Sequence, residues 1–319
     1  MDVAGGTLDI WPLGLLHPGA ITVNVAIDVA ASVELRRRTA TYRVRQGDVL
    51  VEGRSPADLA SHPEGALVGV VAEALGLPPL EATLVSASPR GGGLGASSAM
   101  AVALIAAGQT LIGEDDPGPA ARAALARDLE ARLMGLPTGR QDHYAALLGG
   151  ALEIAHPPGG ERVRRLDVDL AELGSRLLVV YSGKSHFSAG SNWQIVKRRL
   201  NGDPETSGLF AGIAEVAAEV PAALEDGDWP RAGELMAREW GYRRHLADEI
   251  STPAIESLLD MAKALGAYGG KACGAGGGGC VAILCPPERR DPIAAQLAAA
   301  GGLPVAAQPS AEPLRVDGG

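Results

Sequence analysis

The sequence predicts an α+β fold, and three observations carry that prediction. Short runs rich in branched residues, at 21–27, 30–35 and 41–52, read as strands near the start of the chain. A strand, a glycine-rich loop and a helix follow one another between residues 80 and 112. Helical spacing then dominates at 119–134, 205–224 and 230–248, with short apolar strands set between the helices.

At 319 residues the chain is long enough for one large or two ordinary domains. Hydrophobic residues make up 46% and aromatic residues only 3%, so the core is built mainly from Ala, Val and Leu. The net charge of −10 argues against a nucleic-acid partner, which calls for a basic face. Arg36-Arg37-Arg38, the one basic run, reads as a solvated strand end. Three cysteines, Cys273, Cys280 and Cys285, match neither a disulfide framework nor a zinc spacing and read as buried thiols. The N-terminus shows no signal-peptide pattern, and no uninterrupted apolar run reaches the ~18 residues of a membrane span. A cytoplasmic protein with no membrane partner is the expectation.

In order along the chain, 2–6 reads as a strand end and a tight turn. Thr7, Asp9 and Asn24 are polar residues among apolar neighbours, and each suits either turn capping or substrate contact. The pair of strands at 41–52 turns near Gln46-Gly47-Asp48, and 63–76 has helical apolar spacing. Strand 80–86 enters Pro89-Arg90-Gly91-Gly92-Gly93-Leu94-Gly95-Ala96-Ser97-Ser98, after which an apolar helix runs to Ile112. Free N–H groups and the dipole at a helix start favour an anion, and glycine lets the backbone come close to one. A phosphate cradle and a glycine turn with a serine cap both fit. A Walker loop does not, because no Gly-Lys-Ser/Thr follows, and no acidic ribose partner supports a dinucleotide loop.

A break at 113–119 precedes the helix at 119–134, which carries Glu130. On residue type alone, Glu130 belongs on a surface. A turn at 136–139 delivers Arg140, Gln141 and Asp142 to another helix start, where an aspartate is favoured by the dipole. His143 reads as a surface or packing residue. Strands are expected at 149–154, 163–170 and 177–181, with a domain boundary near 172 giving domains 1–172 and 173–319. The polar loop after Tyr181 offers Ser182 and Lys184 as binding candidates. Trp240 keeps helical spacing with Leu235, Met236 and Arg243, as a core residue does. Thr252 caps a helix that has Pro253 in its first turn and runs to about 265. A second glycine cluster, 274–279, sits between that helix and a strand at 280–284, which argues for a close backbone approach. After a short helix near 291–300, the Pro/Gly-rich tail is expected to fray.

Three ordered blocks resemble the GHMP kinases, the superfamily that includes galactokinase, homoserine kinase and mevalonate kinase. They are Pro89-x-x-x-Gly93-Leu94-Gly95-x-Ser97-Ser98-Ala99, Gly139-Arg140-Gln141-Asp142-His143-Tyr144-Ala145-Ala146 and Lys271-Ala272-Cys273-Gly274-Ala275-Gly276-Gly277-Gly278-Gly279. The form of the second block is most similar to the heptose-7-phosphate kinase and fucokinase branch. The resemblance covers roughly residues 3–285. It implies a lobe like ribosomal protein S5 domain 2, a ferredoxin-like lobe, and an acceptor site between them. It also implies ATP on Pro89, Gly91, Gly92, Gly93, Leu94, Gly95, Ala96, Ser97 and Ser98, with Mg2+ held by Ser97 and Glu130. Asp142 becomes the base or orienting carboxylate and Arg140 its cationic neighbour. Thr7 and Asp9, with Gly276 and Gly277, are implied to lie at the substrate. Relatives usually carry several more residues, often a basic one, ahead of this chain's first strand. The expectation is therefore either a late start or a missing cationic contact. The implied reaction is ATP-dependent phosphorylation of a sugar or sugar-phosphate hydroxyl, most simply the anomeric one. The alternatives are an isoprenoid or amino-acid alcohol as acceptor, or a non-catalytic nucleotide or sugar sensor. The oligomeric state is not legible.

Overall fold

The first elements of the computed structural model are β1 (Asp2–Ala4), a 3-10 turn at Leu13–Leu16, β2 (Ile21–Val25), β3 (Ala31–Arg37), β4 (Tyr42–Gln46) and β5 (Val49–Gly53). Helices α1 (Pro56–Ala60) and α2 (Ala66–Leu75) lead to β6 (Leu80–Ser86), then α3 (Ala96–Ile112), α4 (Pro119–Met134) and α5 (Gln141–Leu148). Next come β7 (Ala151–Ala155), β8 (Arg162–Arg165), α6 (Leu170–Arg176) and β9 (Leu177–Tyr181). The chain continues with α7 (Ala189–Leu200), α8 (Pro204–Glu225), α9 (Trp229–Arg243) and α10 (Pro253–Ala264). It closes with β10 (Gly269–Ala272), β11 (Cys280–Leu284), α11 (Pro287–Ala299) and β12 (Leu303–Val305). The structure describes residues 1–183 and 189–318, so the candidate Lys184 lies outside the described residues.

The elements form two compact units, one of residues 1–28, 89–94 and 149–312, the other of 29–88, 95–148 and 313–319. The units interleave along the sequence, and a sequential cut near 172 falls inside the first of them. The first unit holds two antiparallel sheets, ordered β1-β2-β7-β8 and β10-β11-β9-β12. Its core joins Leu178, Val180, Val281 and Ile283 of the second sheet to Phe210, Ile213, Trp240, Ile255 and Leu258 on the helices. Trp240 is thus a core residue, as its spacing predicts. The 22-residue α8 is long and apolar enough to cross a membrane by length and composition, but half of its apolar window is buried in the protein. It also carries Glu215 and Glu219.

The second unit has one sheet, ordered β3-β6-β4-β5, in which β4 and β6 run parallel and the other pairs antiparallel. α3 is apolar nearly all round and is buried along most of its length, with α2, α4 and α5 packed against it. The fold is α+β, as the sequence predicts.

Three expectations need correction, the mildest being the helix expected over 230–248, which stops at Arg243. The strand expected over 163–170 stops at Arg165, and a helix, α6, begins at Leu170. Asp169 is its cap, accepting from the Glu172 N–H at 2.9 Å, and this local bond competes with further pairing. The tail does not fray. β12 pairs with β9, and beyond it the Asp28 N–H donates to the Gln308 carbonyl at 2.9 Å and Ser310 N–H to Ala26 at 2.9 Å. Gly150 N–H donates to Ser310 at 2.7 Å, so the extended chain satisfies backbone groups at the ends of the central strands β2 and β7. Composition signals flexibility but does not register such docking.

Candidate active site

In the second unit the glycine loop ends at Gly95, which caps α3 in the left-handed conformation (φ 75°). A side chain there would be strained, and it would also have no room. A Cβ on Gly95 would stand 2.8 Å from Cγ and 3.0 Å from Oδ1 of Asp142. The Asp142 carboxyl group therefore lies directly against the loop backbone, two residues before Ser97. Asp142 is held there by the first turn of α5, which begins as the Tyr144 N–H bonds the Arg140 carbonyl at 3.1 Å. Arg140 and Asp142 are both half-buried, so they sit where a ligand can reach them.

The same unit brings Glu130 to the loop. α3 and α4 run as antiparallel neighbours joined by a short Gly/Asp/Pro break, so the last turn of α4 stands opposite the first turn of α3. Ser97 Oγ donates to Glu130 Oε1 at 2.6 Å, and Ser98 Oγ donates to Oε2 at 2.9 Å. Ser97 is exposed, whereas Glu130 is only 5% exposed. The surface placement that residue type suggests for Glu130 is therefore wrong. Burial by itself raises the Glu130 pKa, but hydrogen bonds from His143 and both serines outweigh it and hold the group below its ordinary value. His143, expected at a surface or in packing, is 1% exposed with Nε2 2.6 Å from Glu130 Oε2.

A hydroxyl and a carboxylate oxygen are hard donors of the kind Mg2+ takes, and this ion commonly uses only one or two carboxylates beside substrate phosphates. The exposed Ser97 next to Oε1 fits that requirement. Among the described residues no group of three or more His, Cys, Asp or Glu gathers as an all-protein metal site.

In the first unit the two glycine clusters lie backbone to backbone. A Cβ on Gly93 would come 2.6 Å from the Cys273 carbonyl, and one on Gly279 would come 2.7 Å from that of Gly91. The Cys280 N–H donates to Gly92 O at 2.9 Å, which ties β11 to the loop that Pro89 opens. The close approach expected of the second cluster is thus made to the first cluster. Gly276 and Gly277 are buried, and the Gly277 N–H is used by the Ile250 carbonyl at 2.7 Å. That N–H is not offered to a substrate.

Thr7 and Asp9, also in this unit, are 5% and 8% exposed. Thr7 has φ 74°, the one non-glycine residue in the left-handed region among the described residues. For a β-branched residue this is a true outlier, of order 1–3 kcal/mol of strain. Asp9 lies within electrostatic reach of Arg243 and His156.

Beneath the turn is a cluster the sequence did not reveal. Lys271 Nζ is 2.8 Å from Asp2 Oδ2 and 2.9 Å from Glu239 Oε2, with all three side chains at most 1% exposed. Arg243 bonds Asp2 at 3.3 Å and donates to the Gly274 carbonyl at 2.8 Å. Burial raises the Asp2 pKa, but Lys271 and Arg243 overcome this and hold it below its ordinary value. Lys271 opens the third of the sequence blocks, but nothing in that block names its ion partners.

The chain is similar to known proteins along most of its length. Family models for the N-terminal and C-terminal domains of the GHMP kinases match residues 64–150 and 221–303. The chain is 31% identical over 270 residues to a mevalonate kinase of Thermococcus sibiricus, covering 82% of this chain and 76% of that protein. It is 26% identical over 207 residues to the D-glycero-alpha-D-manno-heptose 7-phosphate kinase of Campylobacter jejuni, covering 63% and 60%. Lactococcus lactis galactokinase, solved with galactose, shares the fold at TM-score 0.78 over 99% of this chain and 92% of its own, with 13% identity. These likenesses define a class, the small-molecule kinases that transfer phosphate to an alcohol. The chain belongs to the GHMP kinase family, whose phosphate donor is ATP.

Proposed function

We propose that the protein phosphorylates a hydroxyl of a sugar or sugar phosphate, with a heptose-7-phosphate-like acceptor and the anomeric hydroxyl as the preferred target. The observation that carries the phosphoryl-transfer chemistry is Asp142 seated against Gly95, at the head of the helix whose Ser97 meets Glu130. Phosphoryl transfer needs a positioned nucleophile and neutralised charge more than covalent chemistry. Asp142 accepts the acceptor's proton, or orients the hydroxyl, at its carboxylate. Arg140 supplies positive charge beside it. The N–H groups at the start of α3 face the phosphates. Ser97 and Glu130 would hold Mg2+, which when bound neutralises charge on the phosphate oxygens.

The sugar assignment rests on the Gly5-Gly6-Thr7-Leu8-Asp9 turn. A buried aspartate and a strained threonine in one turn are a recognition device for an acceptor rich in hydroxyls. The heptose kinase relative supports the same choice. A mevalonate-type acceptor is the second reading, favoured by the identity to the Thermococcus protein. An acceptor panel with ATP and mass detection separates the two. Product from a sugar or sugar phosphate but not from mevalonate is expected, and the reverse overturns the sugar reading. Asp142→Asn should lower kcat by about 10²–10⁴ while ATP still binds. Full turnover in that variant removes Asp142 from the mechanism.

A further inference from the structure

We infer that His143 is a positioning residue for Glu130, fixing the carboxylate so that one oxygen alone faces the ion. The inference rests on the proposed role of Glu130 toward Mg2+. The two oxygens of Glu130 differ in their surroundings. Oε2 is taken by His143 Nε2 at 2.6 Å and by Ser98 Oγ at 2.9 Å. Oε1 meets the exposed Ser97 at 2.6 Å. A hydroxyl on a rotatable side chain can turn its hydrogen away and present a lone pair to a cation. An imidazole ring that is 1% exposed on a helix has no such freedom. The 2.6 Å contact sets ring nitrogen Nε2 directly against Oε2, and with its proton on Nε2 the ring presents positive charge density to that oxygen.

The first turn of α5 thus performs two tasks with adjacent residues. Asp142 is directed at Gly95, and His143 at Glu130. Removing the ring would leave the inner oxygen with Ser98 alone and free the carboxylate to rotate away from the single orientation that keeps Oε1 outward. A hydrogen-bonded partner behind a metal ligand is typically worth about 10–100-fold in metal affinity.

The test uses the full chain with a non-hydrolysable imido analogue of ATP, titrated with Mn2+ and followed by electron paramagnetic resonance. His143→Leu, which fills space without a donor, should weaken Mn2+ binding about tenfold or more. Binding of the analogue in EDTA should be unchanged. His143→Gln, which restores an N–H, should recover most of the affinity. A folded His143→Leu protein with Mn2+ affinity within about twofold of the parent overturns the inference. If that variant does not fold, His143→Gln and His143→Asn decide, since the shorter side chain draws the donor back. Loss in Asn with recovery in Gln supports positioning, and parent-like affinity in both sinks it. Glu130→Gln is the control on the underlying reading. If it too leaves Mn2+ affinity unchanged, the placement of the ion at Glu130 fails. If it weakens binding while His143→Leu does not, only the role of His143 fails.

Discussion

Thr7 shows most directly how a single residue stores strain. A threonine at φ 74° is destabilising where it stands, and glycine at the same position is free of that strain. Thr7→Gly should therefore leave thermal stability equal or slightly higher, the relief of ~1–3 kcal/mol being offset in part by the extra freedom of glycine in the unfolded chain. The same change removes a hydroxyl from the turn. We expect the acceptor KM to rise with kcat and the KM for ATP little affected, as steady-state kinetics on both substrates would show. A parallel rise in both KM values would place Thr7 in general packing instead. Residue type alone is a poor guide at this scale. Glu130 looks like a surface residue in the sequence and is buried in the structure, because its partners Ser97 and Ser98 lie on a helix that begins 34 residues before it. No local pattern reports such a meeting. Only the order of three motifs pointed to Glu130, and nothing pointed to His143.

Elements were far more legible, and the reason is periodicity. β6, β9, β11, α4 and α10 fall within a residue or so of where spacing and caps place them, and Thr252 accepts from the Ile255 N–H with Pro253 in the first turn. The misses have different physical causes. α6 is only seven residues long, so its apolar spacing cannot be told from that of a strand. The tail is organised by backbone pairing, to which composition is blind. At this scale the junction of loop and helix is the sensitive point. Gly95→Ala places a methyl group within 3.0 Å of the Asp142 carboxyl and forces an L-residue to φ 75°. Displacement of Asp142 by about 1 Å is enough to cost on the order of 10²-fold in rate. The expected outcome is a large fall in kcat with only a modest loss of melting temperature. A variant that keeps full turnover would mean that Asp142 does not need the position this junction gives it.

Across the whole molecule, the buried Asp2–Lys271–Glu239–Arg243 cluster links the first strand to α9 and to β10. The pH dependence that Asp2 contributes has a definite sign. A carboxylate whose pKa is lowered by folding contributes stability above its unfolded value of about 3.8 and loses it as pH falls through the folded value. Acid unfolding monitored by circular dichroism should therefore deepen below that point in the parent protein. Asp2→Asn should flatten this part of the curve and lower stability at neutral pH by ~3–5 kcal/mol, because two buried cations lose a partner. An unaltered acid limb in the variant would assign acid sensitivity to other groups. A second test concerns autonomy. A fragment of residues 1–172 retains β1, β2, β7 and β8 but loses α8, which packs on β1 and β2. The face of β1 and β2 that α8 covers, buried in the intact chain, would then meet water. Aggregation, or a one-dimensional NMR spectrum without dispersion, is the expected result. A soluble, well-dispersed fragment would show that the first half folds alone.

The chain changes unit after residues 28, 88, 94, 148 and 312, so its two ends belong to different units. Any single exchange point with a relative's gene therefore leaves at least one unit assembled from two parents. Neither unit is a continuous stretch of sequence, so an exchange that moves one unit whole has to move several separate segments together.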